Sequence, residues 1–115
     1  VETGYVNQIN LDEGVYCMKS LEDSYQMAVG LISSTIKIYD MLEGNLVRNL
    51  NGHSQSVIVL DAVQKSLLIS TSFDSTIRLW NLIDETLLKH IEPNEGPIYA
   101  IHLLNKTCMI FKKKK

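Results

Sequence analysis

Apolar residues along this chain arrive in short bursts broken by polar, turn-forming residues. In the second half the bursts are "VIVLDAV" from Val57, "SLLISTS" from Ser66, "TIRLW" from Thr76 and "TLLKHI" from Thr86. Gln64–Lys65, Asp74–Ser75 and Asp84–Glu85 stand between them. The first half repeats the arrangement with "VYCMKSL", "YQMAVGLI", "TIKIYD" and "NLVRNL". Bursts this short, rich in Val, Ile, Leu and Thr and separated by turn residues, predict successive antiparallel strands. No segment sustains apolar residues at i, i+3, i+4 and i+7 long enough for a helix. Several bursts are apolar at nearly every position, which suits sheets covered on both faces. The pattern predicts an all-β chain.

The halves are copies of one unit. "SSTIKIYD" from Ser33 returns as "DSTIRLWN" from Asp74, with Ile36 and Ile77 separated by 41 positions. Beyond the shared "STI", Lys37 answers Arg78, Ile38 answers Leu79, Tyr39 answers Trp80 and Asp40 answers Asn81. The preceding strand recurs three times, as "GVYCMKSL" from Gly14, "SVIVLDAV" from Ser56 and "GPIYAIHLL" from Gly96. A period near 40 residues with four strands per period marks a repeat architecture, in which each unit covers its apolar faces against its neighbours.

The best copy, "GHSQSVIVLDAVQKSLLISTSFDSTIRLWNL" from Gly52 to Leu82, resembles a WD40 repeat. It has Gly52–His53 at its start, "LIS" at Leu68–Ser70, Asp74 in the turn, and Trp80–Asn81 where the family has Trp-Asp. The first copy departs from the pattern: Tyr39–Asp40 replaces Trp-Asp, Ser33 stands at the turn Asp, and Asp12–Glu13 lies near the Gly-His position. The third opens with Pro93–Asn94 in place of Gly-His and runs out at "MIFKKKK". The resemblance implies a partial WD40-type β-propeller of four-stranded antiparallel blades, too short to close a ring alone. Residues 1–13 are expected to hold an outer strand of a preceding blade and a connecting loop, 14–51 a divergent first blade, 52–92 the best-matching blade, and 93–115 an incomplete third blade with a basic tail. The chain is accordingly expected to be a piece, either a truncated product or a segment of a longer protein.

Composition narrows the function classes. Eleven basic and thirteen acidic residues among 115 give a formal charge of −2, which argues against electrostatic binding to nucleic acid or an acidic membrane. No apolar run approaches the ~20 residues of a membrane helix, and no segment has the pattern of a secretory signal. Cys17 and Cys108 lack metal-ligand spacing and suit a reducing cytoplasm or nucleus. His90 and His102 have no second ligand nearby in sequence, so neither a metal nor a cofactor is expected. Lys112–Lys115 reads as a basic shield on a strand edge rather than as a targeting signal.

Two sets of residues are candidates for a site. His53, Ser70 and Asp74 invite comparison with a Ser-His-Asp hydrolase, with Ser72 as the alternative hydroxyl on the same strand face. No GxSxG elbow surrounds either serine. The resemblance implies instead a buried structural tetrad of His53, Ser70, Asp74 and Trp80, so no catalytic residue is expected. It also implies a peptide-contacting position after the first apolar residue of each first strand. That position falls on Tyr16, Ile58 and Tyr99, with Phe73 beside the turn as a fourth member. The expected function is a non-catalytic scaffold for a protein or peptide partner. The alternatives are a fragment that completes a ring by self-association, and a serine hydrolase using His53.

Overall fold

A computed structural model describes backbone and side chains at residue 9 and over 11–21, 24–62, 66–84 and 86–92, and backbone alone at 63–64, 98–104 and 107–112. The first blade is a four-stranded antiparallel sheet of β1 (Val15–Leu21), β2 (Gln26–Leu31), β3 (Ile36–Asp40) and β4 (Leu46–Leu50), paired in chain order. The second repeats it with β5 (Val57–Gln64), β6 (Leu67–Ser72), β7 (Ile77–Asn81) and β8 (Thr86–Ile91). A two-stranded antiparallel sheet of β9 (Ile98–Leu104) and β10 (Thr107–Lys112) follows, with β9 beside β5. Lys112 thus belongs to β10, whereas Lys113–Lys115 lie outside the described residues. Among the described residues no helix is long and apolar enough to cross a membrane.

Alternation along the strands sorts the core into three layers. Ala28, Ile36 and Ile38 of the first blade meet Val57, Leu60, Leu68 and Trp80 of the second, and all are buried. Gly30 lies in this layer because a Cβ there would stand 2.4 Å from the Cys17 sulfur. Ile69 and Ile77, with Val59 and Leu79, form a second layer on the far face of the second blade. Val29, Leu31 and Tyr39 form the third on the opposite face of the first blade, where Ile9, Leu11 and Met27 pack against them. The segment before β1 thus supplies part of the cover for this outer face.

Both-face burial holds for β2 and β6, the second strands of their blades, which have no exposed residue. It fails for β8, which is exposed at all six positions. The outermost strand has a neighbour on one edge only, so its apolar run does not mean burial.

The pairing contains bulges at matching places. The register skips Tyr16 between Val15 and Cys17 in β1, and Ile58 between Val57 and Val59 in β5. In β9 it skips Tyr99, between the Ile98 and Ala100 partners. A bulge leaves one residue out of the ladder and bends its strand. The first strand of each unit therefore leaves its second residue out of the ladder.

Candidate functional site

The register places the starts of β1, β3, β5 and β7 and the ends of β2, β4, β6 and β8 at one end of the sheets. Residues 51–56 enter the second blade there, beside the β6–β7 turn at 73–76. His53 and Asp74 come together across that gap, with His53 Nδ1 and Asp74 Oδ2 at 2.9 Å. On the other side of the ring, His53 Nε2 lies 2.7 Å from Ser70 Oγ. Trp80 Nε1–H donates to the same oxygen at 2.8 Å.

The proton positions follow from what each group can do. Ionised Asp74 only accepts, so His53 carries its proton on Nδ1. Nε2 is then an acceptor for the Ser70 hydroxyl proton, and the Ser70 oxygen is free to accept from Trp80. A protonated His53 would donate at both nitrogens and leave the Ser70 hydroxyl without an acceptor in this set. Burial, the largest influence, holds His53 below its ordinary value of 6.5, against the pull of the Asp74 hydrogen bond and charge.

Asp74 is the hub. Its Oδ2 also accepts the Ser54 N–H at 2.9 Å, and its Oδ1 accepts the Thr76 N–H at 2.8 Å and the Thr76 hydroxyl at 2.6 Å. Burial alone would raise the Asp74 pKa, but the bonds from Thr76, Ser54 and His53 outweigh it and hold the carboxyl at about 2. Since the Thr76 proton goes to Asp74, its oxygen can accept a second, 3.1 Å branch from His53 Nδ1. Thr76 was not singled out in the sequence, although the shared "STI" and its place two residues after an Asp are the mark of an Asx turn.

Gly52 leaves room for the indole: a Cβ there would lie 3.2 Å from the Trp80 ring and 2.7 Å from an Arg78 nitrogen at the end of its side chain. The Gly-His pair thus provides room for the indole first and the bond to Asp74 second.

Ser70, His53 and Asp74 have the connectivity of a hydrolytic triad. What differs is access. Ser70 and Ser72 are both 0% exposed. The Ser72 hydroxyl donates to the Gln55 carbonyl at 2.8 Å and accepts the Asp74 N–H at 3.0 Å, so it takes no part in the His53 contact. Among the described residues no cluster of His, Cys, Asp and Glu could hold a metal ion. His90 lies at the surface, 3.4 Å from Glu92. Burial pushes the Cys17 thiol up to about 11, against a smaller lowering by a backbone bond at Gly30.

The four residues of the second candidate set fall at the same end. Tyr16 is 51% exposed, and its ring meets that of Phe73 edge-on, with centroids 5.6 Å apart and planes at 82°. The contact bridges the two blades, which linear reading of the sequence did not reveal. Ile58 is half-buried. Tyr99 lies in β9, and its side chain is outside the described residues. Ile32 was not anticipated. It occupies in the β2–β3 turn the place of Phe73 in the next blade, and it is 51% exposed.

Comparison with known proteins agrees with this geometry. The family model described as WD domain, G-beta repeat matches residues 44–81. Human Elongator complex protein 2 is 35% identical over 78 residues, covering 61% of this chain and 9% of that protein. Mouse WD repeat and SOCS box-containing protein 1 is 33% identical over 82 residues, covering 69% of this chain and 20% of that protein. Among solved structures, the Cps50 (Swd1) β-propeller domain of Myceliophteria thermophila superposes with a TM-score of 0.78 at 21% identity, over 86% of this chain and 30% of that one. The WD40 β-propeller domain of Doa1 gives 0.77 at 24% identity, over 86% and 34%. The chain therefore spans between 9% and 34% of the length of these proteins.

Proposed function

The chain belongs to the WD40-repeat β-propellers, and we propose that it serves as a non-catalytic protein-interaction scaffold whose loop end receives a peptide. The observation that carries this reading is the repeated bulge. At the second position of each first strand the ladder releases a residue, and these residues are Tyr16, Ile58 and Tyr99. Bulges re-aim side chains and gather beside functional sites. Tyr16 is held by an edge contact to Phe73 yet keeps half its surface open. An aromatic group already fixed in place loses little freedom when a partner packs on it.

In this reading His53, Ser70, Asp74 and Trp80 are the structural support of that end. They tie the loop entering the second blade to the turn that carries Phe73. A hydrolytic role is disfavoured because neither Ser70 nor Ser72 offers its hydroxyl to solvent, whereas a nucleophile must reach its substrate.

The test is selection of a displayed random-peptide library on the full-length protein, with binding of the recovered peptides measured by fluorescence anisotropy. Tyr16→Ala is expected to weaken the recovered peptides roughly tenfold or more, as loss of an aromatic anchor does, while leaving the thermal midpoint near that of the unmodified protein. Recovered peptides that bind Tyr16→Ala and Phe73→Ala as well as the parent would refute the assignment.

A further inference from the structure

We infer that the peptide received at this end presents a large apolar side chain flanked by Lys or Arg. The inference rests on the binding reading above and adds the chemistry of the partner. Its apolar half comes from Tyr16, Ile32 and Phe73, which share one end and are joined through short bonds. The Ser56 hydroxyl donates to the Ile32 carbonyl at 2.6 Å, and the Phe73 N–H donates to the Ser56 carbonyl at 3.0 Å. Phe73 then meets Tyr16 ring to ring. Ile32 and Tyr16 belong to the first blade, Ser56 and Phe73 to the second, so the patch spans the junction as one surface.

Its charged half comes from the loops around that patch. The described loop residues at this end, 11–14, 32–35, 51–56, 73–76 and 92, contain Asp12, Glu13, Asp74 and Glu92 and not one Lys or Arg. Asp12 and Glu92 are exposed. Glu13 is held beside the patch, because its Oε1 accepts the N–H of Ser33, the neighbour of Ile32, at 2.9 Å. That bond uses one carboxylate oxygen and leaves the charge in place. The basic groups nearest this end lie within the strands: Lys37 and Arg78 are the second residues of β3 and β7, and Arg48 is the third of β4. Arg78 packs its guanidinium beneath Gly52. Lys19, further along β1, is paired with Asp61 at 3.5 Å. None of these belongs to the loops that carry the carboxylates. A rim of one sign around an apolar anchor site favours partners of the opposite sign and repels its own.

The experiment uses the full-length protein and three synthetic peptides of equal length around a central Phe, with flanks of Lys/Arg, of Ser/Gly or of Asp/Glu. By anisotropy at low salt the basic peptide is expected to bind about tenfold tighter than the neutral one and the acidic peptide weakest. At ~0.5 M salt the three should converge to within about threefold, as screening removes the charge term. Asp12→Asn with Glu13→Gln removes two charges while the Gln amide oxygen can still accept from Ser33. This pair should reduce the basic peptide's advantage to about threefold without weakening the neutral peptide. Equal affinity for all three, or preference for the acidic one, overturns the inference and leaves the binding site standing. Binding of none overturns both.

Discussion

In the first blade the N–H of Ile32 donates to the Gly14 carbonyl at 3.0 Å; in the second, the N–H of Phe73 donates to the Ser56 carbonyl at 3.0 Å. The turn that follows has Ser34 at φ 88° in one blade and Ser75 at φ 70° in the other. After the third strand, Asp40 Oδ1 accepts the N–H of Leu42 and Asn81 Oδ1 accepts that of Ile83, both at 2.9 Å. The last pair explains why Asn replaces Asp without damage: the position needs a side-chain oxygen for an Asx turn, and either residue has one. Main-chain geometry is thus common to the two blades. The side chains that lock it are not. Where the second blade has Ser70, Asp74 and Trp80, the first has Val29, Ser33 and Tyr39. Even the direction of the lock reverses. In the second blade the turn provides the carboxylate, Asp74, and the loop provides the N–H of Ser54. In the first the loop provides the carboxylate, Glu13, and the turn provides the N–H of Ser33. Both join loop to turn, but the first does so with one exposed bond and the second with a buried network.

This difference should appear as unequal cost at equivalent positions. Asp74→Ala strands the Thr76 N–H and hydroxyl, leaves the His53 Nδ1–H only its 3.1 Å branch to Thr76, and leaves the Ser54 N–H to solvent. It is expected to cost about 3 kcal/mol, the upper range for buried groups left unsatisfied. Ser33→Ala keeps the only group that Ser33 contributes to the Glu13 bond, its N–H, and should stay within about 0.5 kcal/mol. Urea unfolding midpoints of the two variants measure both. Adding His53→Ala to Asp74→Ala should cost less than the sum of the single changes, because both act in one network. Equal costs at positions 33 and 74 would mean that the network adds nothing to stability.

Acid should act on the second blade's network in two steps. Burial lowers the His53 pKa in the folded chain, so below 6.5 the unfolded chain takes up the proton first and stability falls with pH. The Asp74 carboxyl is held at about 2 when folded against 3.8 for the free group. Its contribution is present above 3.8 and is lost as pH falls through about 2. That second step amounts to about 2 kcal/mol. Urea midpoints followed from neutral to acid pH should show both steps. Asp74→Asn should abolish the lower one. A lower step of unchanged size in Asp74→Asn would assign it to other carboxylates.

The same contrast explains what was legible in the sequence. Strands, their order and the repeat period could be read because each depends on local pattern and on spacing, and the two blades agree in both. Tyr39 for Trp80 and Ser33 for Asp74 were visible as departures. What replaced them was not, since Glu13 and Ser33 lie 20 positions apart and nothing local marks them as partners. The Tyr16–Phe73 contact was hidden for the same reason, as it joins residues of different repeats. Exposure of the outer strand β8 escaped because apolar content alone does not tell an outermost strand from a central one.

The smallest expected effect tests the first blade's lock directly. Glu13 accepts an N–H at an exposed site, so its removal cannot approach the cost of Asp74. Glu13→Ala should cost about 1 kcal/mol or less, the range of solvent-competed bonds. Unfolding midpoints alone resolve such a change poorly, but amide hydrogen exchange does not have that weakness. The Ser33 N–H should lose protection in Glu13→Ala and keep it in Glu13→Gln, whose side-chain oxygen still accepts. Ser54 N–H, the counterpart in the second blade, should be unmoved by either change, because its acceptor is Asp74. Loss of protection at both amides would mean that the blades share one loop lock, and the contrast between an exposed bond and a buried network would fail. Loss at Ser33 alone makes the locks separate, each blade fastening a common main chain with the side chains it has.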